Sequence, residues 1–446
     1  MLKKLFKKPP GKSTQLPKRD HKIKVEQTSK AARDIIARLQ SKGHEAYMVG
    51  GCIRDLLSGI KPKDYDVATS ATPEQVVRLF PRARMIGRRF RIVHVRQGRE
   101  LIEVTTFRAH HTQGKAHHGK QSSSGILVRD NVFGSLEEDA MRRDFTCNSF
   151  YYDPSSETLF DMCGGFADLK NGILRTIGDP YERFREDPVR MLRAIRFESK
   201  LGLRLDESSQ DALSISQHMM AEVSPARLFD EVIKVLMTEN ADSAYQMLVE
   251  TRLFDQLFPA SAEAIEAEPD LARLIELAMQ NTVDRIKKDK GVAPFFLYAA
   301  LLWPPTKLAF DEFCGRGMAP YEAMEAASRK TLDRQAARIT IPKRFAMPIA
   351  EVWKLQTMLP KTAGRRAAKT AGHTRFRAAY DFLLLREESG EETNNLGQWW
   401  TEYQETNPLV QDNSSRPKPS SRNPRRRKRS NRSQNGSDNP TASGNS

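Results

Sequence analysis

Cysteine is scarce in this chain and unpaired in pattern. Cys52, Cys147, Cys163 and Cys314 lie far apart with no C-x-x-C spacing. That excludes a disulfide framework and the common thiolate zinc sites, and it fits a reduced, cytoplasmic setting. Long apolar runs are missing too: nothing approaches the roughly 18 residues that a membrane-spanning helix needs. The N-terminal MLKKLFKK has no long apolar core and no small-residue cleavage site, so it does not read as a secretory signal. Its single Leu-Phe pair allows at most a weak contact with an anionic membrane surface. Acids are nearly absent from both ends. Residues 1–24 carry nine Lys/Arg against Asp20 alone, and residues 413–446 carry nine against Asp438 alone. These stretches hold 18 of the 72 bases and 2 of the 56 acids, so the chain between them is formally neutral and the net charge of +16 belongs to the ends. Both ends are rich in Pro, Ser and Asn and too polar to bury a core, which predicts disordered basic tails over 1–24 and 406–446. The run Arg425, Arg426, Arg427, Lys428 and Arg429 attracts phosphate backbones without sequence preference, and serves equally as a solubiliser.

Between the tails the chain is long enough for two to four structural units. Ser29 is placed to cap the amphipathic run KAARDIIARLQSK, which Gly43 stops. EAYMVGG reads as a strand ending in a glycine pair, CIRDLLSG as a short helix, and KPKDYDVAT as a second strand. Thr72, Pro73 and Gln75 form the signature of a capping box, so EQVVRLF is expected to be helical. RIVHVRQGRELIEVTTFR reads as a hairpin about Gln97 and Gly98, and DPSSETLFDMCGG suggests another near Phe160. From about residue 181 onward the spacing is helical. The loop 109–125 contains His110, His111, His117 and His118, but no Cys or acid accompanies them at a zinc-ligand spacing.

Asp64 and Asp66 stand i to i+2 in KPKDYDVATS, which on a strand turns both carboxylates to one face. Like charges on one face are unfavourable unless a cation sits between them. The segment before them ends a strand at Val49 and continues with Gly50, Gly51 and Arg54: bare backbone that can approach a phosphate, and a cation to neutralise it. Two carboxylates together with phosphate oxygens form a common Mg²⁺ environment. A third acid, Glu103, alternates with Ile102 and Val104 in LIEVTTFR and so takes the face opposite theirs. A surface ion pair explains Glu103 alone; three acids on one face suit two metal ions roughly 3.5 to 4 Å apart.

The stretch VGGCIRDLLSGIKPKDYDVAT resembles the nucleotide-binding signature of the class II polymerase β-like nucleotidyltransferases, the branch of bacterial CCA-adding enzymes and bacterial poly(A) polymerases. RRDFTCNSFYYDP (142–154) and REDPVRMLRAIRF (185–197) are similar to further motifs of that branch, in the same order. The resemblance implies an α+β fold: a small mixed-sheet catalytic head over 25–170, a helical neck over 171–235 and an elongated helical body over 236–405. It implies Asp64 and Asp66 as metal ligands, Glu103 as the third catalytic acid, and Gly50, Gly51 and Arg54 at the triphosphate. It places Arg143 near the triphosphate, Asp144 at the ribose hydroxyl with Asn148 in the same motif, and Asp187 with Arg190 on one helix face as a base-reading pair. MIGRRFRIVHV (85–95) is similar to the stretch that marks the poly(A) polymerases off from their tRNA-specific relatives, with Arg88 and Arg89 expected at RNA. IPKRFAMPIAEVWKLQTM and RFRAAYDFLLLRE resemble the polymerases' C-terminal helices. What is implied is AMP transfer from ATP to RNA 3′ ends with Mg²⁺ as cofactor. RNA and ATP are the implied partners, and RNA-decay proteins are allowed as further ones. A tRNA enzyme that adds CCA or its terminal A, and a non-catalytic RNA-binding protein on the same fold, remain open alternatives at this point.

Overall fold

The computed structural model describes residues 13–87, 91–109, 120–121, 127–129 and 132–407. Its strands up to the hairpin are β1 (Thr14–Leu16), β2 (Ala46–Val49), β3 (Asp66–Thr69), β4 (Ala83–Ile86), β5 (Ile92–Gln97) and β6 (Glu100–Thr106). The short pair β7 (Lys120–Gln121) and β8 (Leu127–Arg129) stands apart. Strands β9 (Phe150–Asp153) and β10 (Thr158–Asp161) complete an eight-stranded mixed sheet of order β1-β10-β9-β2-β3-β6-β5-β4.

Helices α1 (Lys18–His21), α2 (Lys30–Gln40), α3 (Gly51–Leu57) and α4 (Pro73–Leu79) interleave with these strands. Ser29 caps α2 by accepting from the Ala32 N–H, and Ala31, Ala32, Ile35, Ile36 and Leu39 form its buried stripe. Thr72 and Gln75 close the capping box of α4, with Pro73 in its first turn. α2 and residues of α3 and α4 pack with Met48, Val67, Val93, Val95, Ile102 and Val104 on one face of the sheet. The β5–β6 turn falls on Gly98 and Arg99, since Gln97 pairs with Glu100; Gly98 takes φ +61°.

Residues 14–24 depart from the expected structureless tail. β1 lines the free edge of β10, with Thr14 opposite Asp161, and His21 and Ile23 are buried. The His21 ring accepts from Ile23 N–H and lies 3.0 Å from the Glu157 carbonyl. Composition marks this segment as basic and polar. It cannot show that an unpaired strand edge offers the backbone partners that order it.

Helix α5 (Leu136–Arg142) packs Leu136 and Ala140 with Val49, Ala68 and Tyr151, and α6 (Gly165–Lys170) sets Phe166 against the core on the opposite face; β11 (Ile173–Leu174) leads into α7 (Pro180–Glu186) and α8 (Val189–Leu201). β12 (Arg204–Leu205) pairs in parallel with β11, then α9 (Glu207–Ser216) and α10 (Pro225–Leu236) follow. From Ala241 to Thr406 the described chain is helical. One apolar core runs from Phe145 and Leu174 through α7, α8 and α10 to Tyr298, Trp303, Trp353 and Phe382. Each such large side chain stabilises by about 1.5–3 kcal/mol when fully buried. Among the described residues no helix is long and apolar enough to cross a membrane.

Candidate active site

The sheet register builds the site. β3 and β6 run parallel with Asp66 directly opposite Glu103, and antiparallel β2 puts Val49 opposite Asp66. Extending the row across the sheet gives Tyr151, Val49, Asp66, Glu103, His94 and Arg84 on β9, β2, β3, β6, β5 and β4. Residues in register share a face, so this face carries the acids. β3 begins at Asp66, so Asp64 precedes the strand instead of belonging to it. Its would-be partner β2 ends at Val49, where the chain turns at Gly50. The alternation nevertheless holds: Tyr65 faces away, its hydroxyl donating 2.6 Å to the Gln27 carbonyl, and Asp64 stays near enough to act on Asp66.

Asp66 is mostly enclosed. Burial, then Glu103 and Asp64, push its carboxyl up to about 6, with Arg143 pulling the other way. Among the described residues, no three His, Cys, Asp or Glu side chains close into a preformed metal cage. Gly50 bends the chain at φ +71°, and a Cβ there would meet the Arg143 guanidinium at 3.0 Å; at Gly51 it would face Arg54 at 3.5 Å. Only glycine at position 50 satisfies both the backbone and the cation.

Behind this pair the arginines are held by neighbours. Arg54 donates to Asp55 at 2.6 and 2.9 Å and to Asn148 at 2.7 Å. Burial pulls the Arg143 guanidinium down, but Tyr151 and Asp139 outweigh it and hold the group above its ordinary value. Asp144, buried, would be raised by its enclosure. Arg193, Asn148 and the Phe145 N–H instead keep it well below the usual carboxylate range. The ribose role implied for Asp144 therefore belongs to a carboxylate already held by an arginine and an amide.

The base-reading pair differs from expectation in geometry. Asp187 lies between α7 and α8 in extended backbone (φ −151°, ψ 92°), so it does not share a helix face with Arg190, which sits in the first turn of α8. Pro188 is the reason, because a residue before proline is driven out of the helical region. Arg227 of α10 holds both Asp187 oxygens at 2.8 Å. Arg190 donates to the Arg183 carbonyl at 2.8 Å and to Glu186 at 3.1 Å.

These groups enclose one cleft of about 510 Å³, lined by Gly50, Gly51, Arg54 and Asp66 together with Asp187, Arg190 and Arg227. Its volume suits a nucleotide. Arg143, Arg193 and Arg196 add further cations to its wall, and burial beside Arg193 pulls Arg196 down to about 10. The structure thus brings together Gly50, Gly51, Arg54, Asp66, Arg143, Asp144, Asn148, Asp187 and Arg190. Glu103 joins through the sheet row. Arg88, Arg89 and Arg425 to Arg429, with the four histidines of the 109–125 loop, lie outside the described residues. Arg193 stands inside REDPVRMLRAIRF with nothing to single it out, and Arg227 is separated from Asp187 by 40 positions; no local signal marks such a pair.

Three family models match in chain order: poly A polymerase head domain over residues 46–175, probable RNA and SrmB-binding site of polymerase A over 202–265, and polymerase A arginine-rich C-terminus over 316–434. Poly(A) polymerase I of Salmonella typhimurium is 42% identical over 405 residues, 89% of this chain and 87% of that protein. The chain belongs to the bacterial poly(A) polymerase family. It is accordingly a nucleotidyltransferase. The CCA-adding branch is also visible: that enzyme of Geobacillus kaustophilus is 41% identical, but over 226 residues, 51% of this chain and 54% of its own. The crystal structure of the Bacillus stearothermophilus CCA-adding enzyme in complex with CTP superposes with a TM-score of 0.56 at 26% identity, covering 85% of this chain and 83% of that one. Likeness to the poly(A) polymerase spans most of the chain, while likeness in sequence to the CCA-adding enzyme stops at about half.

Proposed function

We propose that the protein adds AMP from ATP to RNA 3′ ends without a template and releases pyrophosphate. The observation that carries this reading is the junction of two features: the Asp66–Glu103 pair on the sheet and the arginine-lined cleft that opens beside Asp66. ATP lies with its phosphates at Gly50, Gly51 and Arg54 and its base toward Asp187 and Arg190. The RNA 3′ hydroxyl loses its proton to solvent and its oxygen attacks the α-phosphorus; the new P–O bond forms as the bond to pyrophosphate breaks, and the electron pair departs with pyrophosphate.

The donor set fits Mg²⁺. Asp64, Asp66 and Glu103 are hard oxygen donors, and Asp66 is raised by burial and by its two carboxylate neighbours. Asp64 and Asp66 would hold the metal together with the ATP phosphates, and Glu103 would complete the site. Bound there, Mg²⁺ would supply Lewis-acid activation of the RNA hydroxyl and positive charge for the leaving group. Arg227 fixes the carboxylate of Asp187, and Arg190 offers guanidinium donors to the base edge from a position fixed by Glu186. RNA as the acceptor is supported by the family model that matches over 202–265.

The test offers purified protein each of the four nucleotides with either unstructured RNA or tRNA lacking its CCA end. Repeated AMP incorporation into both acceptors supports the reading. Incorporation of CMP into tRNA followed by a single A would assign the chain to the other branch.

A further inference from the structure

The row that joins Asp66 to Glu103 continues outward. His94 on β5 faces Glu103, its Nε2 3.2 Å from Glu103 Oε1, and Arg84 on β4 faces His94. Arg84 is exposed, and its side chain makes no ion pair or hydrogen bond among the described residues. Arg96, opposite Leu101 on the same face, is likewise exposed and unpaired among them. Ile86 and Leu101 on this face are each 46% exposed. The wing formed by β4, β5 and β6 thus shows free cations and apolar surface on the face that carries the acids. Its other face, with Ala83, Val93, Val95, Ile102 and Val104, is packed.

The nucleotide cleft takes its walls from Gly50 at the end of β2, from Gly51 and Arg54 of α3, from Asp66 at the start of β3 and from residues between Arg143 and Glu231, and neither Glu103 nor His94 lines it. An in-line displacement needs the attacking oxygen on the side of the α-phosphorus opposite the leaving pyrophosphate. With ATP on the β2 side of Asp66, the attacking RNA reaches Glu103 from the β5 and β4 side.

We propose that this wing is the subsite for the backbone of the acceptor's 3′-terminal nucleotides, with Arg84 on a phosphate, Arg96 beside it, and His94 holding Glu103 toward the terminal hydroxyl. Arg84 stands two strand spacings from Glu103, about 10 Å, within reach of roughly the last one or two internucleotide phosphates. The inference rests on the polymerase reading and adds to it the path of the second substrate. The ligand is RNA phosphate, recognised by charge and not by base, which suits an enzyme whose product end is renewed at every addition.

The experiment measures KM for a short oligoadenylate and for the same oligomer carrying a neutral methylphosphonate at its last or penultimate linkage, with wild type, Arg84→Ala and Arg84→Lys. One of the two modified oligomers raises the wild-type KM about tenfold. Arg84→Ala raises the KM for unmodified RNA by a similar factor, adds nothing further on the modified one, and leaves KM for ATP unchanged; Arg84→Lys recovers part of the loss. A penalty of equal size in wild type and Arg84→Ala, or an unchanged RNA KM in Arg84→Ala, overturns the subsite, as does a change in KM for ATP alone. Wild-type AMP incorporation into unmodified RNA tests the polymerase reading separately, so the two fail distinguishably. For His94, kcat falls in His94→Ala and is partly restored in His94→Asn, which keeps a side-chain N–H; equal loss in both removes the positioning role.

Discussion

Asp66 is the residue where local electrostatics and proposed chemistry meet. In an unfolded chain its carboxyl titrates near 3.8, whereas in the fold burial, Glu103 and Asp64 push it up to about 6. The folded chain therefore holds the proton more tightly than the unfolded one. The stabilisation from this group is fully present below pH 3.8 and is lost as pH rises to about 6. In metal-free protein, Asp66→Asn should raise Tm at pH 8 by about 2 °C or more relative to wild type, and the gain should vanish near pH 4. Thermal denaturation in a chelator checks this, and an equal shift at both pH values contradicts it. The same substitution should lower AMP incorporation on the order of a thousandfold or more with the fold intact, because positioning and charge neutralisation provide most of the catalysis.

Among the elements, the α7–α8 junction carries the clearest prediction. Arg227 grips both Asp187 oxygens from α10, so Arg227→Met strips a half-buried carboxylate of that cation at the base end of the cleft. ATP-over-CTP discrimination, measured as a ratio of kcat/KM values, should fall roughly tenfold; an unchanged ratio would remove Arg227 from base selection. At the opposite edge, deleting residues 1–24 uncovers β10 and removes the buried His21 and Ile23. A lower Tm and concentration-dependent self-association are expected, and sedimentation measures the latter.

The same elements show what can be read before folding. The glycine pair, the two aspartates and Glu103 are visible because they obey short periods: alternation along a strand and a turn at its end. Ser29 and the box at Thr72 are equally local. The Asp187 geometry is also written in the chain, in the Asp-Pro step, although helical spacing suggests a shared face. Arg193 on Asp144, Arg227 on Asp187, and β1 on β10 are tertiary pairings between segments far apart, and periodicity carries no information about them.

At the scale of the whole molecule, charge is divided by role. The folded centre is formally neutral although its cleft is lined by more arginines than carboxylates, while the excess of +16 lies at the ends. Removing residues 413–446 should weaken RNA binding at low salt and flatten its salt dependence, the slope falling by about 0.7 for every phosphate that the tail neutralises. An unchanged slope would leave that tail a solubiliser.

On the proposed reading, the Asp66 cleft selects ATP and extends RNA ends repeatedly. The most direct measurement is single-primer extension with ATP or CTP, on unstructured RNA and on tRNA lacking its CCA end, resolved nucleotide by nucleotide. A ladder of many added A residues on both acceptors, little CMP, and no ladder with Asp66→Asn are expected. Efficient CMP addition confined to tRNA and ending after one A would contradict it.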